Sequence, residues 1–120
     1  MLRPEGERLR VYLHREPIDM RLQRTGLASL AQEVIRQDPF SADAIFAFIG
    51  KRYDRLKLLV WDNNGFVLWY KVIESREKFV WPRDAQDAVV TLTVEQLNWL
   101  LDGHDVFRQP HRMLRLAYAS

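Results

Sequence analysis

Leu9-Arg10-Val11-Tyr12-Leu13 alternates apolar and polar positions apart from Tyr12, the period of a half-buried strand. Pro17-Ile18-Asp19 breaks it. Asp19 stands where its carboxylate would cap a helix, by accepting from the free amides of the first turn. Behind it, Leu22, Leu27, Leu30, Ala31, Val34 and Ile35 fall on a 3.6-residue stripe. This spacing predicts one amphipathic helix over about residues 19–37 with a single buried face. Gly26 inside it costs about 1 kcal/mol relative to alanine, which marks close packing. Asp38-Pro39 ends the helix, because the residue before a proline avoids the α region.

Three strand-like runs follow. Ala44–Ile49 is apolar on both faces and predicts a central strand. In 55–61, Leu56, Leu58 and Val60 alternate with Lys57, Leu59 and Trp61. Asp62-Asn63-Asn64-Gly65 supplies residues that tolerate positive φ, a hairpin signal, and 66–73 returns as the partner strand. A second turn near 74–78 leads to Phe79-Val80-Trp81, a short strand that Pro82 ends. Thr93 and Gln96 have the spacing of a capping box, and Leu92 and Leu97 that of a hydrophobic staple. Leu97, Leu100 and Leu101 form the buried stripe of this last helix, Trp99 falls off it, and Gly103 stands at the left-handed C-terminal cap.

The predicted fold class is α+β: an antiparallel meander of four or five strands, with the 19–37 helix on a face and a shorter helix, about 93–102, at an edge or beside it. Residues 1–105 make one domain, and 106–120 a basic C-terminal tail.

Composition narrows the class. The chain has 120 residues, 48% apolar and 28% charged, which suits one soluble domain. No apolar stretch approaches the ~20 residues of a membrane helix. With no signal-peptide pattern and no cysteine, the expectation is a cytoplasmic protein with no membrane partner. Net charge is only +2, but residues 84–107 carry −5 and residues 108–120 carry +3. Arginine outnumbers lysine 14 to 4, and its planar fork suits phosphates, carboxylates and aromatic faces.

Enzyme signatures are missing: no glycine-rich phosphate loop, no zinc-protease motif, no nucleophile elbow. His14, His104 and His111 are scattered and read as solvent-exposed residues. Asp54 and Asp62 would lie at opposite ends of one strand, too far apart to share a nuclease metal with Lys57 between them. No metal, no cofactor and no catalytic residues are expected. Lys57, Trp61, Trp69, Lys71, Trp81 and Arg83 alternate cations with large aromatics along consecutive strands. A sheet face of that kind can stack bases and neutralise phosphates. The same pattern arises when tryptophans fill a core and lysines at strand ends reach past it to solvent. Trp99 and the tail cations Arg108, Arg112 and Arg115 add weakly to the first reading.

Several linked motifs carry a resemblance. Pro17-Ile18-Asp19-Met20-Arg21, Gly26-Leu27 and Gln37-Asp38-Pro39-Phe40-Ser41 come first. The run from Asp54 to Phe66, then Leu68-Trp69-Tyr70-Lys71, Phe79-Val80-Trp81-Pro82 and the closing Leu97, Leu100, Leu101 and Gly103 follow in order. Over roughly residues 9–105 the chain resembles the accessory-protein family of insertion-sequence-66 (IS66) elements. The resemblance implies a small bacterial protein that acts beside a separate DDE-type transposase and brings no catalytic residues of its own. The chain departs from the family pattern in turns. Ser75-Arg76-Glu77 replaces a glycine turn, Gly50 stands for an asparagine, and Tyr53 for a small or basic residue.

Two functions follow as expectations. In the first, a non-catalytic transposition factor contacts DNA at the element ends, the transposase, or both. Arg21, Arg55, Lys57, Lys71 and Arg83 would meet phosphates, and Trp61, Trp69 and Trp81 would stack bases. In the second, the same tryptophans form the hot spot of a protein–protein adaptor or homodimer that touches no nucleic acid.

Overall fold

The computed structural model of the chain describes residues 9–83 and 86–107. Strand β1 (Arg10–His14) leads through helix α1 (Arg24–Leu30) and a π-helical turn (Ala31–Ile35) to β2 (Ala44–Ile49). Strands β3 (Arg55–Asp62), β4 (Gly65–Val72) and β5 (Val89–Thr93) follow, then helix α2 (Val94–Leu101). The sheet order is β4-β3-β2-β1-β5.

The sheet is mixed, where the sequence predicted a wholly antiparallel meander. β2, β3 and β4 do run antiparallel, with Asp62 opposite Gly65 across the Asn63-Asn64 turn and Asn63 at φ +55°. β1, however, pairs with β2 in parallel, Arg10 beside Ala44. Parallel neighbours need a long crossover, and residues 15–43 with their helix supply it. The position on the other side of β1 is taken by β5 in antiparallel register, Val11 opposite Leu92. The β-branched run Val89-Val90-Thr91 thus forms the fifth strand in place of the expected Phe79-Val80-Trp81. That segment is irregular. Phe79 and Trp81 are buried, and their side chains fill the core instead of extending the sheet.

β2 is central, and all six of its residues are buried. Ile45, Ala47 and Ile49 face one core, with Val11, Leu13, Leu56 and Leu58 under Leu97, Leu100 and Leu101 of α2. Ala44, Phe46 and Phe48 face the other, with Leu59 under Leu27, Ala31 and Ile35 of the α1 segment. Each sheet face therefore carries one helix. The apolar double face of β2 has its cause in this three-layer packing. Val106 is also buried in the α2-side core, so packed chain continues past Gly103.

The first helix is shorter than its hydrophobic stripe. Asp19 does not cap it. Met20 and Leu22 would lend their carbonyls to amides four residues on if the helix began at Asp19. They accept instead from Lys57 Nζ, at 2.7 and 2.9 Å. Leu22 folds over the first turn of α1, and a Cβ on Gly26 would lie 2.8 Å from its Cδ2. At the other end, Arg36 takes a left-handed φ of +62° and its amide closes onto the Ala31 carbonyl. The second helix follows its sequence signals. Thr93 and Gln96 form the reciprocal capping box, and Gly103 is left-handed at φ +94°. Lys71 Nζ donates to the Leu101 carbonyl at 2.7 Å, a cation at the negative end of the helix dipole.

Two stability changes follow. Lys57→Met keeps the apolar stem but leaves the Met20 and Leu22 carbonyls without their donor. It should cost about 2–3 kcal/mol in urea unfolding. Arg36→Gly removes a side chain from a left-handed backbone position and should raise stability by about 0.5–1 kcal/mol in the same assay.

Candidate nucleic-acid interface

Register alone separates the residues that the sequence grouped. Lys57 and Trp61 point to the α1 side of the sheet. Trp69 and Lys71, opposite Leu58 and Leu56, point to the α2 side. Lys57 is buried, and its ammonium holds the two carbonyls of residues 20 and 22, with the Tyr70 ring 5.3 Å away. Burial pushes its pKa down, against the opposing charge of Asp19. Lys71 is half-buried under the end of α2. Trp81 is buried, and its indole N–H donates to the Arg15 carbonyl at 2.9 Å, which leaves no ring face for a base. Trp69 is half-buried against the α2-side core. Trp61 lies in an aromatic group, edge-on to Phe40 and Phe66 at 5.0 and 4.9 Å between ring centroids. His14, expected at the surface, is buried, with Nδ1 2.8 Å from the Glu16 carbonyl oxygen.

The remaining candidates, Arg21, Arg55 and Arg83, are exposed and lie around one turn. The link 50–54 between β2 and β3 is pinned by Gly50 N–H to the Arg55 carbonyl and Tyr53 N–H to the Gly50 carbonyl, both at 2.9 Å. Ile18 bridges to Gly50, and its N–H donates to the Ile49 carbonyl at 2.8 Å. A cleft of about 450 Å³ opens between residues 18–21 and this turn, and Arg21, Lys51, Arg52 and Arg55 all line it. Asp19 and Asp54 are its carboxylates. Lys78 joins the group from behind, with Nζ donating to the Arg52 carbonyl at 2.7 Å.

Two of these arginines are held in place. Arg21 Nη2 and Nε both donate to the Asp19 carboxylate, at 2.7 and 3.1 Å, and the Arg21 amide donates to Oδ1 at 2.9 Å. The Arg21 side chain is nevertheless 91% exposed. Arg83 lies 3.7 Å over the Tyr53 ring. Tyr53 itself sits at φ +61°, a costly position for a bulky residue. Its carbonyl accepts from the Phe79 amide at 2.8 Å, which helps keep it there. Lys51, Arg52 and Lys78 lie outside the strands, so the alternation of cations and aromatics along strands does not reach them. The Lys51-Arg52 pair between two strand patterns was the available signal.

The geometry defines a small α+β domain with a helix on each face of a mixed sheet and a cation-lined cleft at one turn. Residues 9–111 match the family described as IS66 Orf2 like protein, and the chain belongs to that family. It is a family of transposition-associated accessory proteins and not a known catalytic one. Two relatives from Sinorhizobium fredii are similar in sequence. The uncharacterized protein y4jC is 35% identical over 97 residues, covering 81% of this chain and 80% of its own. The uncharacterized protein y4hO is 33% identical over 112 residues, covering 93% and 94%. No solved structure matches the chain.

The Arg21 amide and guanidinium together hold the Asp19 carboxyl well below its usual range, down to about 2. A lowered folded-state pKa stabilises the 19–21 turn above the ordinary carboxylate range, and that contribution is lost as pH falls through about 2. A carboxyl-carbon NMR titration should give Asp19 a midpoint of about 2. In Arg21→Ala the midpoint should return toward the ordinary aspartate value.

Proposed function

We propose that the chain is a non-catalytic accessory factor for transposition of an IS66-type insertion sequence and that it contacts DNA at the element ends. Arg21, Lys51, Arg52 and Arg55 meet backbone phosphates there, with Arg83 and Lys78 alongside. The observation that carries this reading is the gathering of exposed cations from two separated segments at one cleft. Phosphate contacts of this kind give affinity and register, while sequence preference needs base contacts or DNA shape. Stacking on Trp81 drops out of the reading, and Lys57 and Lys71 act through the fold. The transposase of the same element is the natural protein partner of such a factor.

One observation favours a second reading, a protein–protein adaptor or homodimer. Phe40 and Tyr70 are 56% and 48% exposed, and Phe40 adjoins the half-buried Trp61 and Phe66. Aromatic surface of this kind anchors protein interfaces.

A labelled duplex bearing the element's terminal repeats, beside a scrambled duplex, tests the first reading in a salt series. Four phosphate contacts should give a slope of log K on log salt of about −3.6. Arg52→Ala should weaken binding to both duplexes and flatten the slope by about 1. No binding at low salt would retire direct DNA contact and direct the search to the transposase and to self-association.

A further inference from the structure

We propose that the cleft between residues 18–21 and the 50–55 turn receives one unpaired nucleotide of a DNA strand end, a specificity that rests on the DNA-contact reading above. Shape is the first argument. The outer surface of an intact duplex is convex and would touch cations at the rim of a concavity without filling it. The cleft, at about 450 Å³, lies within the size range of small-ligand pockets. A nucleotide released from the stack can enter such a space.

The lining sets cations beside a small apolar surface. Lys51, Arg52 and Arg55 stand at the cleft for its phosphate. Met20 offers apolar surface to the flat of a base, and a methionine thioether packs well on aromatic rings. Gly50 lets the Met20 side chain lie directly on its backbone, since a Cβ there would come within 2.7 Å of Met20 Cγ. Asp54 contributes a carboxylate to the cleft lining, but its Oδ1 is closed off from solvent, with Arg55 Nε at 4.0 Å.

Arg21 adds the clearest sign of preparation. Its guanidinium is gripped edge-on by Asp19 through Nε and Nη2, while 91% of the side chain faces solvent. Holding a long exposed side chain in one geometry costs conformational entropy, and an exposed ion pair returns little stability for it. The grip leaves the planar faces of the guanidinium open, and unpaired bases stack on such planes. A paired base inside a duplex offers no such face.

The test compares three labelled DNAs of one sequence by fluorescence anisotropy at one salt concentration: a blunt duplex, the duplex with a short single-stranded overhang, and the single strand. The overhang and the single strand should bind about tenfold more tightly than the blunt duplex, the scale of one stacked base. Met20→Ala, which removes the apolar surface offered to the base and spares every cation and the backbone carbonyl held by Lys57, should cut that preference and leave blunt-duplex binding unchanged. Backbone-amide NMR on the wild type gives a second readout independent of any variant. Shifts at Met20 and Gly50 should follow addition of the overhang DNA and not of the blunt duplex. Equal affinity for all three DNAs, or a preference undiminished in Met20→Ala, overturns the nucleotide site and leaves phosphate contact standing. Failure to bind any of the three at low salt overturns both.

Discussion

The buried ammonium of Lys57 governs the corner of the molecule where the cation-lined cleft lies. It rises from the middle of β3, crosses the sheet face beside α1 and donates to the carbonyls of Met20 and Leu22. A carbonyl held by an ammonium is a weaker acceptor for a helical amide, so residues 20–22 stay outside the helix whose stripe they continue. The segment is instead laid against the end of β2, through Ile18 and Gly50. Asp19 and Arg21 are thereby turned out to solvent beside the cations of the next turn. Desolvating an ammonium is costly, and the two short hydrogen bonds offset that cost.

Lys71 repeats the device on the other sheet face. Its stem runs up from β4 and its head satisfies the last carbonyl of α2. The segment before α1 and the end of α2 are thus each tied to the hairpin β3–β4 by a lysine. The remainder of the cohesion is apolar. β2 divides its side chains between two cores, and Phe79, Trp81 and Val106 close the α2-side core from chain that belongs to no strand. Satisfying Trp81 Nε1 with the Arg15 carbonyl lets the indole be buried without an orphaned donor.

Membership in the IS66 Orf2-like family gives the surface a context. Gly50 and Tyr53 both fall in the turn beside the cleft. Gly50 is the position where a side chain would collide with Met20. Tyr53 accepts a left-handed backbone and carries the ring on which Arg83 rests. Strain of this sort persists where the surroundings hold it, and such positions cluster at functional sites. Here the restraints are the Gly50 and Phe79 hydrogen bonds on either side of the Tyr53 residue.

Local chemistry in the sequence determined much of the scaffold. The two-faced apolarity of 44–49 made β2 central, Asp62-Asn63-Asn64-Gly65 made the hairpin, and Thr93 with Gln96 started the last helix, because each signal acts within a few residues. Long-range pairing was not legible. A run such as Phe79-Val80-Trp81 and a run such as Val89-Val90-Thr91 both suit a strand, and only the vacant edge of β1 chose between them. The hydrophobic stripe from Leu22 could not reveal that Lys57, far along the chain, would claim the carbonyls of residues 20 and 22. The candidate site divided in the same way. The sequence identified residue types suited to phosphate and bases, while the sheet register placed Lys57 and Lys71 on opposite faces and Trp81 went inside. Only the tertiary structure brought Arg21 to Lys51, Arg52 and Arg55, because that meeting depends on a crossover returning residue 18 to the end of β2.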